Sequence, residues 1–334
     1  MMHGLVFICY DLIMSDRKEQ MSFANTGFER FARPTRRAAF LAEMDAIVPW
    51  HELCALIEPH YPTGEGGRPP IPLERMLRIY FLQQWFNLAD PAVEEALYDI
   101  ASMRSFAKID LGNAPVPDET TVCKFRHLLE KRGLGPKMLA EVNTHLARSG
   151  VKVSTGTIVD ATIIHAPSST KNSTGTRDPE MHQTMKGNEW YFGMKAHIGV
   201  DSRSKIVHSF AATPANTHDS RVLSELLHGN ETRVWGDAAY RGQTAVIHAV
   251  APNAADFTHR QSARSKHVSK REHAIHRTKA RVRARVEHVF HVLKRIFGFN
   301  KVRYRGIAKN AHRLVVNFAL ANLYLSRRRL LQRA

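Results

Sequence analysis

"TGTIVDATIIHA", residues 155–166, is where the chain changes character. Thr, Ile and Val crowd together here, and such β-branched residues suit a pleated strand. Asp160 sits inside the run, directly after the apolar pair Ile158-Val159. A bare carboxylate is costly to bury unless it is paired or binds a cation. Whether this run opens a sheet decides the fold of the whole chain.

Moving toward the C-terminus, the β reading extends. "WYFGMKAHIGVD" (190–201) alternates, with Trp190, Phe192, Met194, Ala196, Ile198 and Val200 on one face and Lys195 and His197 on the other. "KIVHSFAAT" (205–213) follows a "DSRS" turn, so the two runs form a hairpin. An amphipathic helix is expected over 218–229, where Asp219 suits an N-cap, and a strand running into a turn over 232–240. A helix over 243–251, a short strand over 254–259 and a long helix over about 271–297 follow. Between the first two strands, residues 167–188 are polar and rich in Ser, Thr and Gly, and read as a mobile loop. Strands first, then alternating β and α, predict an α/β domain with a mixed sheet flanked by helices.

Moving toward the N-terminus, residues 30–150 read as mostly helical. Helices are expected over 73–86 behind Pro72, over 91–106 with Asp90 as cap, and over 117–133 ending at Gly133. This cluster reads equally as a helix-turn-helix DNA reader or as a plain packing or dimerising domain. Residues 310–331 predict a further helix with a strongly apolar face. The expected boundaries are an upstream extension at 1–20, a helical domain at 21–150, a β-rich domain at 151–308 and a C-terminal basic helix at 309–334.

Charge is unevenly placed. The 334 residues carry a net charge of +17. Residues 260–334 hold 21 Lys and Arg against two acids, Glu272 and Glu287, leaving 27 against 29 elsewhere. A concentrated basic region attracts polyanions, nucleic acid above all, by releasing condensed counterions. Cys9, Cys54 and Cys123 form no Cys-x-x-Cys pair, which argues against a disulfide framework or a cysteine zinc site and fits a reducing cytoplasm. No run approaches the ~20 apolar residues of a membrane span.

Three carboxylates stand out. Asp160 and Asp237 each follow an apolar run, and Glu287 lies amid the basic closing helix. Together they offer hard oxygen ligands for two Mg²⁺ ions, a set suited to in-line phosphoryl transfer. Each Asp alone also reads as an ordinary strand-end residue, and Glu287 as a partner of Arg283 or Lys294 on one helical face. Tyr240 and Arg241, just beyond Asp237, read as DNA contacts or as a plain strand-to-helix turn. Lys195 and His197 read either as a phosphate-facing pair or as a solvated or helix-covered face. His273/His276 and His288/His291 have i, i+3 spacing but lack the further ligands zinc needs, so they read as surface or DNA-facing groups.

As a set, "GEGGRPPIPLERMLRIYFLQQWF", "IVDATIIHAPSSTKN", "RDPEMHQTMKGNEWYFGMKAHIGVD", "TPANTHDS", "GDAAYRG" and "RARVEHVFHVLKR" resemble the bacterial insertion-sequence transposases of the DDE kind. The similarity is greatest to the family whose type member is insertion sequence five. The resemblance implies a ribonuclease-H-like core, with Asp160, Asp237 and Glu287 as the catalytic, metal-binding triad. The related closing-helix motif Tyr-x2-Arg-x3-Glu-x6-Lys falls on Arg283, Glu287 and Lys294, with Ala280 at the tyrosine position. It implies Mg²⁺, with Mn²⁺ as a substitute, and cleavage at element ends followed by joining of the 3′-OH to target DNA. The partners implied are terminal inverted repeats, target DNA and a second copy of the chain in a homodimer. A metal-dependent nuclease that does not join, and a non-catalytic DNA-binding regulator or decayed transposase, are the alternatives.

Overall fold

The architecture is that of a computed structural model, which describes residues 33–64, 69–173, 175–258 and 270–332. The expected extension at 1–20 lies outside the described residues, as do the side chains of His273 and His276.

The N-terminal half is helical. It contains α1 (Arg36–Ile47), α2 (Trp50–Ile57), α3 (Leu73–Trp85), α4 (Asp90–Asp99), α5 (Ala101–Phe106), α6 (Glu119–Lys131) and α7 (Leu134–Arg148). Caps set two of the starts: Thr35 accepts from the N–H of Ala38, and Asp118 from that of Thr121. Every residue from Met76 to Trp85 is buried, so α3 is the central helix of this half. The helix expected over 91–106 breaks at Ile100, whose extended backbone divides α4 from α5. Asp90 is not the cap of α4 but its first residue. Its carboxylate instead accepts from Gln83 and pairs with the buried Arg126 at 2.9 Å.

The β-rich half holds β1 (Gly156–His165), β2 (His182–Lys186), β3 (Glu189–Asp201), β4 (Val207–Pro214), β5 (Arg233–Trp235) and β6 (Ala255–Asp256). β3 pairs antiparallel with β1 and with β4, while β1, β5 and β6 run parallel. Apart from β2, the spatial order is β4-β3-β1-β5-β6. That is a mixed sheet, as the strand pattern of the sequence predicts. β2 is the departure from expectation: the second half of the polar 167–188 segment folds back as a strand on Glu189–Gly193.

Helices cover both faces. On one lie the 3₁₀ helix Asp219–Leu226, in place of the expected α-helix, and α8 (Thr244–Val250), packing Val222, Leu223, Leu226 and Ile247 with Val159 and Val234. Gly199 permits this approach, because a Cβ there would collide with the Leu226 carbonyl. On the other face Val286, Val289, Phe290 and Leu293 pack on Ile158, Met194 and Ile198. Each such buried side chain contributes roughly 1.5–3 kcal/mol.

These last residues belong to a closing helix that is not continuous. α9 (Lys270–Arg283) ends in a turn, α10 (Glu287–His291) begins at the key glutamate, and a π turn spans Val292–Ile296. The final helix, α11 (Ile307–Leu331), serves both halves. Its Leu314 and Phe318 join the sheet's core, while Val315, Val316, Ala319, Leu320 and Leu323 join the helical core. No helix among the described residues is long and apolar enough to cross a membrane.

Candidate active site

Asp160 lies midway along β1, opposite Ile198 of β3. Alternation sends Ile158 and Asp160 toward the face covered by the closing helix, and Val159 toward the opposite face. Asp237 follows β5 and Gly236, and its Oδ1 caps the short 3₁₀ turn Ala238–Tyr240 by accepting from the Ala239 N–H at 2.9 Å. Glu287 opens α10 and is exposed, while its neighbours Val286, Val289 and Phe290 are buried. Three separate elements thus carry the three acids.

The charges of Asp237 and Glu287 are felt at Asp160. The Asp160 carboxyl is pushed up to about 7, chiefly by burial and further by the charges of Asp237 and Glu287. The Ala161 N–H, donating to Asp160 Oδ1 at 2.8 Å, and the Arg283 guanidinium oppose that rise. A carboxylate held this high favours nearby positive charge. Among the described residues Glu287 forms no ion pair, so the pairing with Arg283 or Lys294 is not made. Lys294 instead donates to the Ile163 carbonyl at 2.8 Å. Its own pKa is lowered by burial and by Lys186, with Glu287 opposing.

A cavity of about 580 Å³ opens between β1 and the closing helix. Asp160, Thr162 and Glu287 are among the residues that line it. Lys186, His288, His291, Lys294 and Arg295 line it with basic groups, and Phe290 is part of its floor. Lys186 and Arg295 escaped the sequence reading. Arg295 merely follows Lys294, and Lys186 lies in a segment that read as loop. Asp237 stands outside this lining, though its charge reaches Asp160.

The donor chemistry fits hard divalent cations: carboxylate oxygens, each acid keeping an oxygen with no partner among the described residues. No three His, Cys, Asp or Glu side chains among the described residues close around one point as a metal cage: Asp160 and Glu287 border an open cleft, and Asp237 stands outside its lining.

Three expected DNA contacts are corrected. Lys195 and His197 pair with Ile163 and Ala161, so they project to the face opposite Asp160, beneath the 3₁₀ helix Asp219–Leu226. Lys195 pairs there with Asp219 at 2.8 Å and donates to the Thr217 carbonyl. His197 is fully buried against Thr213, and burial pushes it down to about 4. The helix-covered alternative is therefore the one the fold adopts. Tyr240 is also fully buried, its hydroxyl without a partner among the described residues. Burial, then Asp219, Asp160 and Asp237, raises its pKa. Of the remaining candidates, Arg241 is exposed, and Arg283 and Lys294 stand beside the acids.

Comparison with known proteins places this geometry. The family described as Transposase DDE domain matches residues 152–323, more than half of the chain. A second family, described as Transposase domain (DUF772), matches residues 29–128, the helical half. Among solved structures, the chain is similar to a piggyBac transposase synaptic complex with hairpin DNA. The identity is 10%, the TM-score 0.45, and the match covers 91% of this chain and 77% of that one.

Proposed function

The chain belongs to the transposase family defined by the DDE domain, and from that premise we propose that Asp160, Asp237 and Glu287 are its catalytic carboxylates. The observation that carries this is the Asp160 carboxyl at a cation-lined cleft, raised first by burial and then by the charges of Asp237 and Glu287. A site that strains to keep its own acid ionised is one that gains from a bound divalent ion. Mg²⁺, or Mn²⁺ in its place, would be held by these three residues. It would supply the acidity that activates the attacking oxygen and the charge that stabilises the leaving one.

The chain's own groups do the rest. Lys294, Arg295, His288 and His291 face the cleft and position the phosphodiester. Arg283 stabilises ionised Asp160. Water cleaves a strand at the element's end, and the freed 3′-OH then attacks target DNA at the same site. Recognition of terminal inverted repeats falls to the helical half and the basic C-terminal quarter. Exposed Lys124, Lys131 and Arg132 of α6 and its end are available for phosphate contact, whereas Arg126 is consumed by Asp90 and Glu130. Two ends require at least a homodimer, working in the cytoplasm. The motif set supports a place in the insertion-sequence-five type.

The test uses labelled end DNA and a target duplex. Asp160→Asn, Asp237→Asn and Glu287→Gln each abolish Mg²⁺-dependent strand transfer and the stabilisation by Mg²⁺ in thermal melts, while DNA binding survives. Cleavage without joining would assign the chain to the nuclease alternative. Activity surviving in any of the three variants would sink the triad.

A further inference from the structure

The break before Glu287 is pinned by one side chain. α9 ends at Arg283 and α10 begins at Glu287. Bonds three residues long hold the stretch between them: Arg285 to Val282 at 3.1 Å, Val286 to Arg283 at 3.0 Å and His288 to Arg285 at 3.3 Å. Such bonds are poorer in geometry than α-helical ones, so helix continuity does not fix where Glu287 points. Glu287 itself is exposed and forms no ion pair among the described residues. Arg285, half-buried and two residues ahead, makes the anchoring contact. Its Nη1 donates to the carbonyl of Ser202, 83 residues away along the chain.

Ser202 is a fixed point. It is buried just past β3, and its N–H donates at 2.8 Å to the carbonyl of Gly156, the first residue of β1, the strand that carries Asp160. The fully buried Asp201 carboxylate holds the turn. It accepts from the N–H groups of Ser154 at 2.7 Å, Arg203 at 3.0 Å and Ser204 at 2.5 Å, and from the hydroxyls of Ser154 and Ser204. One residue thus links the strand of one acid to the helix of another, with its N–H toward β1 and its carbonyl toward Arg285. A guanidinium bond to a carbonyl is charge-assisted, and Arg285 pairs with no acid among the described residues.

Beyond Glu287, Lys294 donates to the Ile163 carbonyl, also on β1. The glutamate is therefore flanked by two bonds that lead back to the Asp160 strand, one before it and one after. We propose that Arg285 is a positioning residue, which through Ser202 sets the placement of Glu287 against Asp160. The proposal rests on the reading of Asp160 and Glu287 as acids that hold a divalent ion. Side chains that orient a ligating carboxylate without touching the ion typically weaken metal affinity or activity by about 10–100-fold when lost.

The experiment titrates Mn²⁺ into the full chain without DNA, followed by electron paramagnetic resonance. Arg285→Met, which keeps the stem and removes the donors, is expected to bind Mn²⁺ about 10-fold more weakly than the parent. Arg285→Lys, which keeps a charged donor, should restore most of the affinity. Binding of end DNA without divalent ions, and its dependence on salt, should not change, because the guanidinium is spent on Ser202. Equal Mn²⁺ binding by Arg285→Met and parent overturns the proposal. So does a salt slope reduced by about one with Mn²⁺ binding intact, which would make Arg285 a phosphate contact. If Arg285→Met melts too early to assay, Arg285→Gln takes its place under the same two criteria. Glu287→Gln is the reference: if it binds Mn²⁺ as the parent does, the reading of Glu287 as a ligand fails. Amide exchange at residues 286–289 then still decides whether Arg285 holds the break, since it should be faster in Arg285→Met, and equal exchange overturns the proposal.

Discussion

The ammonium of Lys294 lies 2.8 Å from the carbonyl of Ile163, three residues beyond Asp160 on the same strand. One hydrogen bond thus ties the helix that carries Glu287 to the strand that carries Asp160, across the cavity that both line. The π turn Val292–Ile296 surrounds Lys294, and such turns recur at functional sites. Lys294→Met keeps the stem and removes the donor. It should slow single-turnover strand transfer by roughly 10–100-fold, as loss of a positioned polar group at a reacting phosphate does. Unchanged turnover would mean that helix and strand are held by packing alone.

Acid should weaken the fold through buried histidines. Burial holds His208 and His312 each down to about 4, with His228 and Arg126 respectively adding to the effect. Unfolded histidine titrates near 6.5. Between those values the unfolded chain binds protons that the folded chain refuses, so stability is intact above about pH 6.5 and falls as pH drops toward 4. The loss is on the order of 1–3 kcal/mol for each group. Denaturant melts at pH 7 and pH 4.5 should show it, and His208→Asn should flatten the slope. A slope identical in variant and parent would remove His208 from the account.

Tyr240→Phe tests a buried hydroxyl that has no partner among the described residues. The ring packs over Gly236, where a Cβ would sit only 3.0 Å from Tyr240 and 3.1 Å from Val159. Removing an unsatisfied polar atom while keeping the ring should leave stability unchanged or raise it by about 1 kcal/mol. A loss beyond that in a urea melt would show that the hydroxyl has found a partner.

Asn322 holds the two halves of the molecule to each other. Its Oδ1 accepts from the Val207 N–H at 2.9 Å, and its Nδ2 donates to the Val207 carbonyl and to Asn143 Oδ1, both at 2.8 Å. Asn143 of α7 donates to that same carbonyl at 3.0 Å. Asn322→Leu conserves volume but strands buried polar atoms at the start of β4, and should cost about 2–4 kcal/mol. Asn143→Leu, which leaves Asn322 in place, should cost less. Equal small losses in thermal melts of both variants would contradict this clamp.

The sheet was legible because its strands alternate or run apolar between turn residues, and Asp160 and Asp237 stood out as acids placed where apolar residues belong. What alternation cannot say is which face of the sheet the chemistry occupies. That depends on the register of Asp160 against Ile198, and a one-residue difference in parity put Lys195 and His197 on the far side. β2 escaped because a two-stranded projection needs no apolar face. The break before Glu287 escaped because residues 283–286, Arg-Ala-Arg-Val, contain neither Gly nor Pro to announce it. Its local signature is a set of bonds three residues long, such as Val286 to Arg283 and Val289 to Val286, which only coordinates reveal.

The helix Ile307–Leu331 has a consequence for how the protein is made. It is the last described element to leave the ribosome, yet it walls both hydrophobic cores. Until it emerges, neither the helical half nor the sheet can exclude water along that side. The nascent chain therefore passes through synthesis with both cores uncovered on that side, and the support behind the sheet that carries Asp160 arrives in a single late step. A product truncated before Ile307 would be inert, not partly active.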